Sequence, residues 1–381
     1  MLYLHNRRDG YVRIKSQFIY FNPSGLTGRV VAFLSLMTSK PFLTFREQAE
    51  QIVKRGMKSR AKMNDDELVT WIESDLRFIN YYRFSAYWYP FWSKDNSDER
   101  LNVYQEGTCW ETIRGLYMFD RRLRGLVFDA ISRIEIALRT QVAHIWAKHK
   151  GVNNPQKDTA GFRPSYSQKN KSEPSSKRAD LLEKVNRAYT KSKEDFAVHH
   201  RRNLGIEDVR DLPIWVFVEF ATFGNLTNLL NFGLEDSIVE EVANNFGITD
   251  KNFFLSCINL LGDVRNSCAH QARIWNRQWL SAKATLLLKK SSMPEWQYRW
   301  NRNKNRWSRI YKPEEQPLLK DVRSTAAILT VCNILLRSAA SRSQWKGRLK
   351  KLLTCEDSPM PEMHVHLGFT NEHWHEHPLW K

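Results

Sequence analysis

The stretch between Thr108 and Gly151 constrains the fold of this chain more than any other. Apolar residues recur in it at intervals of three and four, the period of one face of an α-helix. The positions on this face are Leu116, Phe119, Leu123, Val127, Ala130, Ile134, Leu138, Val142 and Ile145. A helix of this length must bury its apolar face against other elements. Because the other periodic segments are also helical, the sequence predicts an all-α protein, a multi-helix bundle.

Local signals predict where several helices begin and end. Thr44 with Glu47, and Thr108 with Glu111, have the spacing of a capping box, and Asn64 precedes three carboxylates that suit a helix N-terminus. Gly151 is expected to end the long helix, and Thr249 to cap a later one. Further helices are predicted over 179–203, 324–338 and 345–353.

The charge balance predicts a polyanionic partner. The chain carries 59 Lys and Arg against 41 Asp and Glu, a net charge of +18, and its isoelectric point is about 9.7. Nucleic acid is the first candidate, and an anionic membrane surface is the alternative. Residues 30–37 form a short apolar run flanked by Arg29 and Lys40. No run approaches the ~20 apolar residues of a spanning helix, so RNA is the expected partner, without membrane association.

The remaining composition narrows the chemistry. The five cysteines are odd in number and lack CxxC spacing, which predicts reduced thiols and a cytoplasmic location. Walker A, HExxH and G-x-S-x-G motifs are absent from the sequence. Five histidines near the C-terminus are weak metal candidates because neither cysteines nor carboxylate pairs accompany them: His364, His366, His373, His375 and His377. We therefore expect neither a metal nor another cofactor.

Residues 260–275, LLGDVRNSCAHQARIW, are the strongest candidate for a reactive site. Wound as a helix, this stretch has one apolar side and one polar side that bears Arg265, Asn266 and His270. Asn266 and His270 are four residues apart and therefore neighbours, with Arg273 close by. Arg265 lies about 140° around the axis from His270. Two copies related by a two-fold axis would bring an arginine and a histidine to one cleft, so a homodimer is expected.

These residue types suit cleavage of RNA by its own ribose 2′-hydroxyl. His270 would move protons, because imidazole titrates near neutral pH. Arg265 would stabilise the charge that develops on the phosphoryl oxygens, and Asn266 would orient His270 or the RNA. Two alternatives remain open: the protein binds RNA without cleaving it, or Arg265 and His270 are structural residues within a helix bundle.

The sequence at this site resembles two known groups. Arg265-Asn266-x3-His270 fits the R-x4-6-H motif of the HEPN ribonucleases, a group of small helical RNases. The longer block from Arg265 to Arg277 is similar to the RN-x-CAH-x-x-R-x-WNR block of the bacterial Abi family of abortive-infection proteins. Gln271 and Ile274 depart from that pattern. Residues 80–91, 117–140 and 215–230 also resemble segments of the family.

The resemblance implies a HEPN-like bundle with a basic RNA-binding surface and a metal-independent endoribonuclease that acts as a toxin in phage defence, with a structured RNA as a further partner. Arg265, Asn266 and His270 would be catalytic, while Asp120 and Glu135 would orient the catalytic helix. The expected RNA-binding residues are Arg83, Arg121, Arg124, Arg139, Arg273, Asn276, Arg277, Arg299, Arg302 and Arg306. The last three belong to a basic, aromatic stretch, 296–311, for which a solvated loop is an equal alternative.

The chain is expected to have four parts. Residues 1–36 are basic, lack clear periodicity and do not resemble the family, so they predict a poorly structured extension before Met37. Residues 37–150 form the N-terminal helical part, and 179–381 form the C-terminal helical part that carries the motif. Residues 151–178 between them are rich in Ser, Asn, Pro, Lys and Gly and predict a flexible insertion that contacts RNA.

Overall fold

The computed structural model describes 41–169, 175–279, 318–321, 323–340, 343–354, 358–370, 372–376 and 380 in full, and 11–14, 17–20, 298–301 and 306–309 as backbone. The described residues are mostly helical, which confirms the all-α class. Three two-stranded antiparallel hairpins accompany the helices. The chain divides into two compact units, Met1–Trp110 and Glu111–Lys381. This division falls inside the predicted N-terminal part.

Within the described residues, the first unit contains three α-helices and two hairpins. Its elements are β1 (Tyr11–Ile14), β2 (Gln17–Tyr20), α1 (Phe45–Lys54), α2 (Asp65–Leu76), α3 (Tyr81–Trp88), β3 (Trp92–Lys94) and β4 (Arg100–Tyr104). Thr44 and Asn64 both cap their helices through complete capping boxes, with Glu47 and Glu67 as the carboxylates. The β1–β2 hairpin lies within residues 1–36, for which little structure was expected.

The second unit begins with one long helix and is helical almost throughout. Its helices are α4 (Trp110–Lys150), α5 (Pro164–Ser167), α6 (Lys177–Lys191), α7 (Asp195–Arg202), α8 (Ile214–Phe220), α9 (Phe223–Asn228), α10 (Asp236–Asn245), α11 (Lys251–Ala269), α12 (Thr325–Ala339), α13 (Trp345–Leu353) and α14 (Met363–Leu367). Strands β5 (Tyr298–Asn301) and β6 (Arg306–Arg309) form the third hairpin. A π-helical turn, Leu229–Gly233, directly follows α9.

Helix α4 confirms the prediction made from its apolar period. All nine stripe positions from Leu116 to Ile145 are buried. Gly151 follows the helix with a φ of +66°, in the left-handed region that glycine adopts without strain. The Thr108 hydroxyl, however, donates to the Gln105 carbonyl oxygen at 2.7 Å. The helix begins at Trp110, so Cys109 directly precedes it and the predicted N-cap, Thr108, lies one residue earlier.

Other boundaries differ from the sequence prediction for local reasons. Asp250 caps α11, because its carboxylate accepts from two backbone N–H groups, so the assignment to Thr249 was one residue early. The helix predicted over 179–203 is interrupted where Ser192 adopts an extended conformation. The helices predicted at 324–338 and 345–353 are α12, which Ser324 caps, and α13.

Residues 155–168 are packed, which corrects the expectation of a flexible insertion. Phe162, Tyr166 and Gln156 are all buried. The Gln156 amide donates to the carbonyl oxygens of Val209 and Leu212, at 3.2 and 2.6 Å. The prediction from composition was wrong here, because a few aromatic residues and one amide anchor a segment that is otherwise polar.

Most of the aromatic side chains between residues 78 and 88 belong to the core of the first unit, and Phe78 is an exception. Phe84 and Trp88 are buried and pack on Trp110, with ring centroids 4.8 and 6.2 Å away, and Tyr81 is half-buried. Phe78 is 91% exposed. Phe78 follows the end of α2 at Leu76, so its ring is not on the buried face of that helix.

No described helix is both long enough and apolar enough to cross a bilayer.

The long helix offers a matched test of the fold. Leu138 is fully buried on the α4 stripe, whereas Ile136, two residues away, is 63% exposed. We expect Leu138→Ala to lower the free energy of unfolding by about 2–5 kcal/mol, because it leaves a cavity. Ile136→Ala should change it by no more than about 0.5 kcal/mol. Urea unfolding measures both, and equal losses would contradict the packing of α4.

Candidate functional site

Helix α11 presents the predicted motif with its apolar side inward. Leu260, Leu261, Val264 and Cys268 are buried, as the sequence pattern predicts. On the other side Asn266 and His270 are exposed, and Arg265 is partly exposed. The motif therefore reaches solvent in the monomer. This exposure does not fit the alternative in which Arg265 and His270 are structural residues buried within a helix bundle.

The helix ends at Ala269, four residues after Arg265, in a Schellman motif. The Gln271 N–H donates to the Cys268 carbonyl oxygen at 3.0 Å, and the Ala272 N–H donates to the Ser267 carbonyl oxygen at 2.8 Å. Gln271 has a φ of +57°, a left-handed conformation that stops the helix. The prediction that the helix continues beyond Ala269 was therefore wrong. The segment that leaves the helix carries Arg273, Asn276 and Arg277. These residues are therefore not neighbours of His270 on a helix surface.

A buried carboxylate fixes the path of that departing chain. Asp120 on α4 is fully buried, and its Oδ1 accepts from the backbone N–H groups of Ile274 and Trp275, at 3.2 and 2.7 Å. Its other oxygen pairs with Arg124. The Thr325 hydroxyl donates to the Ile274 carbonyl oxygen at 2.7 Å, which fixes the same peptide from the side of α12. Asp120 thus orients residues 274–275, just beyond His270.

Arg124 does not face solvent, which corrects its assignment to RNA binding. Its side chain is 4% exposed, because it lies beneath the chain that it helps Asp120 to position. Arg139 is 18% exposed and donates to Glu135 at 2.7 Å and to the Ala221 carbonyl oxygen at 3.0 Å. Glu135 therefore positions Arg139, and together they hold the turn between α8 and α9.

The other predicted RNA-binding residues have different settings. Arg121, Asn276 and Arg277 are exposed in the second unit, and Arg273 is partly exposed. The Arg277 guanidinium donates to the Ser267 hydroxyl at 3.2 Å and lies 4.4 Å from the Trp279 ring centroid. Arg83 is exposed in the first unit.

The basic stretch at 296–311 contains a hairpin, where the sequence had suggested a binding loop or a solvated loop. Strands β5 and β6 pair with Trp300 opposite Trp307. Arg299 and Arg306 lie on these strands, but their side chains are outside the described residues. Arg302 is wholly outside them, so all three assignments stay predictions.

A groove beside the motif is a feature that sequence reasoning missed. It has a volume of about 840 Å³ and is lined by the π-helical turn and one side of α11. Five asparagines line it: Asn228, Asn231, Asn252, Asn259 and Asn266. Three of them recur every seven residues along α11, a spacing that places them on one helix face. That periodicity is visible in the sequence, but it was overlooked.

The three buried cysteines, Cys257, Cys268 and Cys332, are unsuited to nucleophilic catalysis. Burial raises the pKa of Cys268 to about 12, and it raises the pKa values of Cys257 and Cys332 further. These thiols stay protonated at neutral pH, and only a thiolate attacks efficiently. Within the described residues, no group of three His, Cys, Asp or Glu side chains is arranged to hold a metal ion. His377 lies outside those residues.

Comparison with known families identifies the chain. A family model described as Abi-like protein matches residues 75–276, more than half of the sequence. The chain belongs to the Abi-like protein family. The match includes Asp120, the groove and the whole of Arg265–His270, and membership suggests a part in abortive infection. The chain matches no curated protein and no solved structure.

Two arginines on α4 test the role of Asp120 in this Abi-like protein. We expect Arg124→Ala to lower the free energy of unfolding by about 3–5 kcal/mol, because it leaves a buried carboxylate without its cation. Arg121→Ala removes an exposed guanidinium from the same helix and should cost no more than about 0.5 kcal/mol. Urea unfolding gives both values. A stable Arg124→Ala protein that has lost RNA affinity would restore Arg124 as an RNA contact.

Proposed function

We propose that this Abi-like protein is a metal-independent endoribonuclease of the HEPN type that acts as a toxin in abortive-infection phage defence. One observation carries the proposal: Arg265 lies one residue before the groove-lining Asn266, and no described residue forms an ion pair with it or accepts a hydrogen bond from its buried Nε. Two arginines on α4, the buried Arg124 and the half-buried Arg139, have carboxylate partners. A partly buried guanidinium without an anion is a favourable partner for a phosphate.

The exposed His270 supplies the second group that the reaction needs. It lies at the end of α11, and its backbone N–H donates to the Asn266 carbonyl oxygen at 3.0 Å. In the proposed reaction, the imidazole takes the proton of a ribose 2′-hydroxyl, and that oxygen attacks the adjacent phosphorus. The bond from phosphorus to the 5′-oxygen breaks, and a protonated imidazole returns a proton to the leaving oxygen. The products are a 2′,3′-cyclic phosphate and a 5′-hydroxyl.

Charge and assembly complete the proposal. Arg265 stabilises the extra negative charge on the phosphoryl oxygens as the 2′-oxygen attacks. Because Arg265 and His270 are five residues apart, which corresponds to about 140° around a helix axis, the proposal includes a second copy that supplies one group to the other's cleft. The net charge of +18 supports RNA as substrate and a structured RNA as a stable partner. The reaction itself requires no metal.

Replacement of His270 tests catalysis. We expect His270→Ala to lower cleavage of single-stranded RNA at least a hundredfold, as loss of a general acid–base group does. RNA affinity and melting temperature should stay unchanged, because the side chain is exposed. His199→Ala, an exposed histidine at the end of α7, is the control and should cleave normally. RNA binding without cleavage by the wild-type protein would favour the alternative, a non-catalytic RNA-binding component.

The route through the 2′-hydroxyl has its own test. Cleavage should persist in EDTA, and a single 2′-deoxynucleotide on the 5′ side of the cleaved linkage should abolish it there without weakening binding. Gel analysis of end-labelled oligonucleotides, with cyclic-phosphate detection on the product, measures both. Cleavage that EDTA stops, or that survives the 2′-deoxy substitution, would contradict the mechanism.

A further inference from the structure

Five neutral amides, an aromatic ring and one carboxylate are among the described residues that line the groove beside α11. Asn252, Asn259 and Asn266 follow one another along α11 at intervals of seven residues, so they face the same side of the helix. Asn228 and Phe232 line the groove from α9 and the π-helical turn. Its volume of about 840 Å³ lies within the range of ligand sites, about 300–1,000 Å³.

Hydrogen bonds hold the floor of the groove in a defined orientation. The Asn231 and Asn259 amides donate to each other's side-chain oxygens, at 2.9 and 3.2 Å. Asn231 also donates to the Thr227 carbonyl oxygen at 2.7 Å. The Tyr166 hydroxyl donates to Asn228 Oδ1 at 2.7 Å, and burial raises the pKa of that hydroxyl, so it stays protonated. Asn228 therefore has its oxygen engaged by Tyr166, and its NH₂ group is a donor for a ligand.

Phe232 provides a flat apolar surface at the edge of the groove. Its side chain is 49% exposed, although phenylalanine is usually buried. The Lys177 ammonium lies 4.2 Å from the ring centroid. The ring belongs to the π-helical turn Leu229–Gly233, and single π-helical turns occur frequently at functional sites. An exposed ring beside oriented amides is the combination that binds an unstacked base.

The charge of the residues that line the groove favours a base over a phosphate as its ligand. None of the described residues that line the groove is a lysine or an arginine, and Asp263 contributes a carboxylate. The lining itself therefore offers a phosphate no cation, and Lys177 lies over one face of Phe232 without lining the groove. Amide groups match the donor and acceptor edges of bases, as asparagine does when it binds adenine through two hydrogen bonds.

We propose that this groove binds the unpaired nucleobases of a single-stranded RNA and thereby selects the linkage that reaches His270. Asn266 joins the two sites, because it lines the groove and lies one helical turn before His270. The inference rests on the proposed function for its substrate class. It adds that sequence preference comes from the groove, while the cleaved phosphate lies beyond it, towards Arg265 and His270.

Three variants alter the groove without touching the proposed catalytic residues. Phe232→Leu removes the stacking ring, and Asn252→Ala removes an exposed amide. Gly224→Leu fills the groove, because a Cβ at Gly224 meets only the Thr222 hydroxyl, at 3.8 Å. Matched controls elsewhere in the second unit are Phe196→Leu, Asn244→Ala and Gly347→Leu. They replace a partly exposed ring, an exposed amide and a glycine whose Cβ would meet open space.

Binding is measured by fluorescence anisotropy with a short single-stranded oligoribonucleotide of mixed sequence, using full-length protein that carries His270→Ala to prevent cleavage. We expect each groove variant to bind about tenfold more weakly, the size of one lost stacking contact. The three controls should bind like the parent. The slope of log affinity against log salt concentration should stay the same in the groove variants, because no phosphate contact is removed. An oligomer of the same ribose-phosphate chain without bases should bind groove variants and parent equally.

Several outcomes overturn the inference. Groove variants that bind like the parent exclude the groove as a base site, as does a defect that persists with the baseless oligomer. A change in dimerisation with unchanged RNA affinity would make the groove a protein interface, and absence of RNA binding would remove both proposals.

Cleavage assays with His270 restored separate the two proposals. If the wild-type protein cleaves RNA and the groove variants cleave the same linkages equally well, the nuclease proposal stands and the groove proposal falls. If the protein binds RNA through the groove but never cleaves it, the reverse holds. Where both are correct, the groove variants cleave more slowly and with a weaker preference among the bases beside the cut.

Discussion

The buried carboxylate of Asp120 is the interaction on which the candidate site depends. Its position on α4 is fixed by the apolar stripe of that helix, which is buried along its whole length. From there it holds two backbone N–H groups of the chain that leaves α11, while Arg124 balances its charge. A carboxylate this deep is costly unless every lone pair has a donor. The cation and the two backbone donors meet that demand, and the end of α11 is fixed as a result.

The Schellman motif and the Asp120 contacts together determine the position of His270. The Schellman motif ends the helix at Ala269 and places His270 at the C-cap, whereas Asp120 sets the direction of the residues that follow. His270 itself is exposed between these two constraints. A proton-transfer group gains from this arrangement, because its backbone is fixed while its side chain stays accessible to a substrate.

Local patterns in the sequence predicted the elements well and the long-range contacts poorly. The α4 stripe, the Thr44 capping box and the Ser324 helix start all depend on residues within one or two turns, and the structure confirms them. The family resemblance gave Asp120 an orienting role, but it did not indicate the backbone groups that Asp120 binds, because these lie 154 and 155 residues away. The turn at Gln271 was also missed, since glutamine rarely adopts positive φ and no glycine marks the position. The groove could not be predicted, because it forms where α9 and α11 lie side by side and no local sequence pattern indicates that contact.

Asp120 recognises peptide groups, and this has an evolutionary consequence. A carboxylate that binds main-chain N–H groups places few demands on which side chains occupy positions 274 and 275 beyond their packing. It places a strict demand on the number of residues between the helix end and those peptides. Gradual divergence by substitution is therefore compatible with this site, whereas gain or loss of a single codon between His270 and Ile274 would shift the register and release the segment from its anchor.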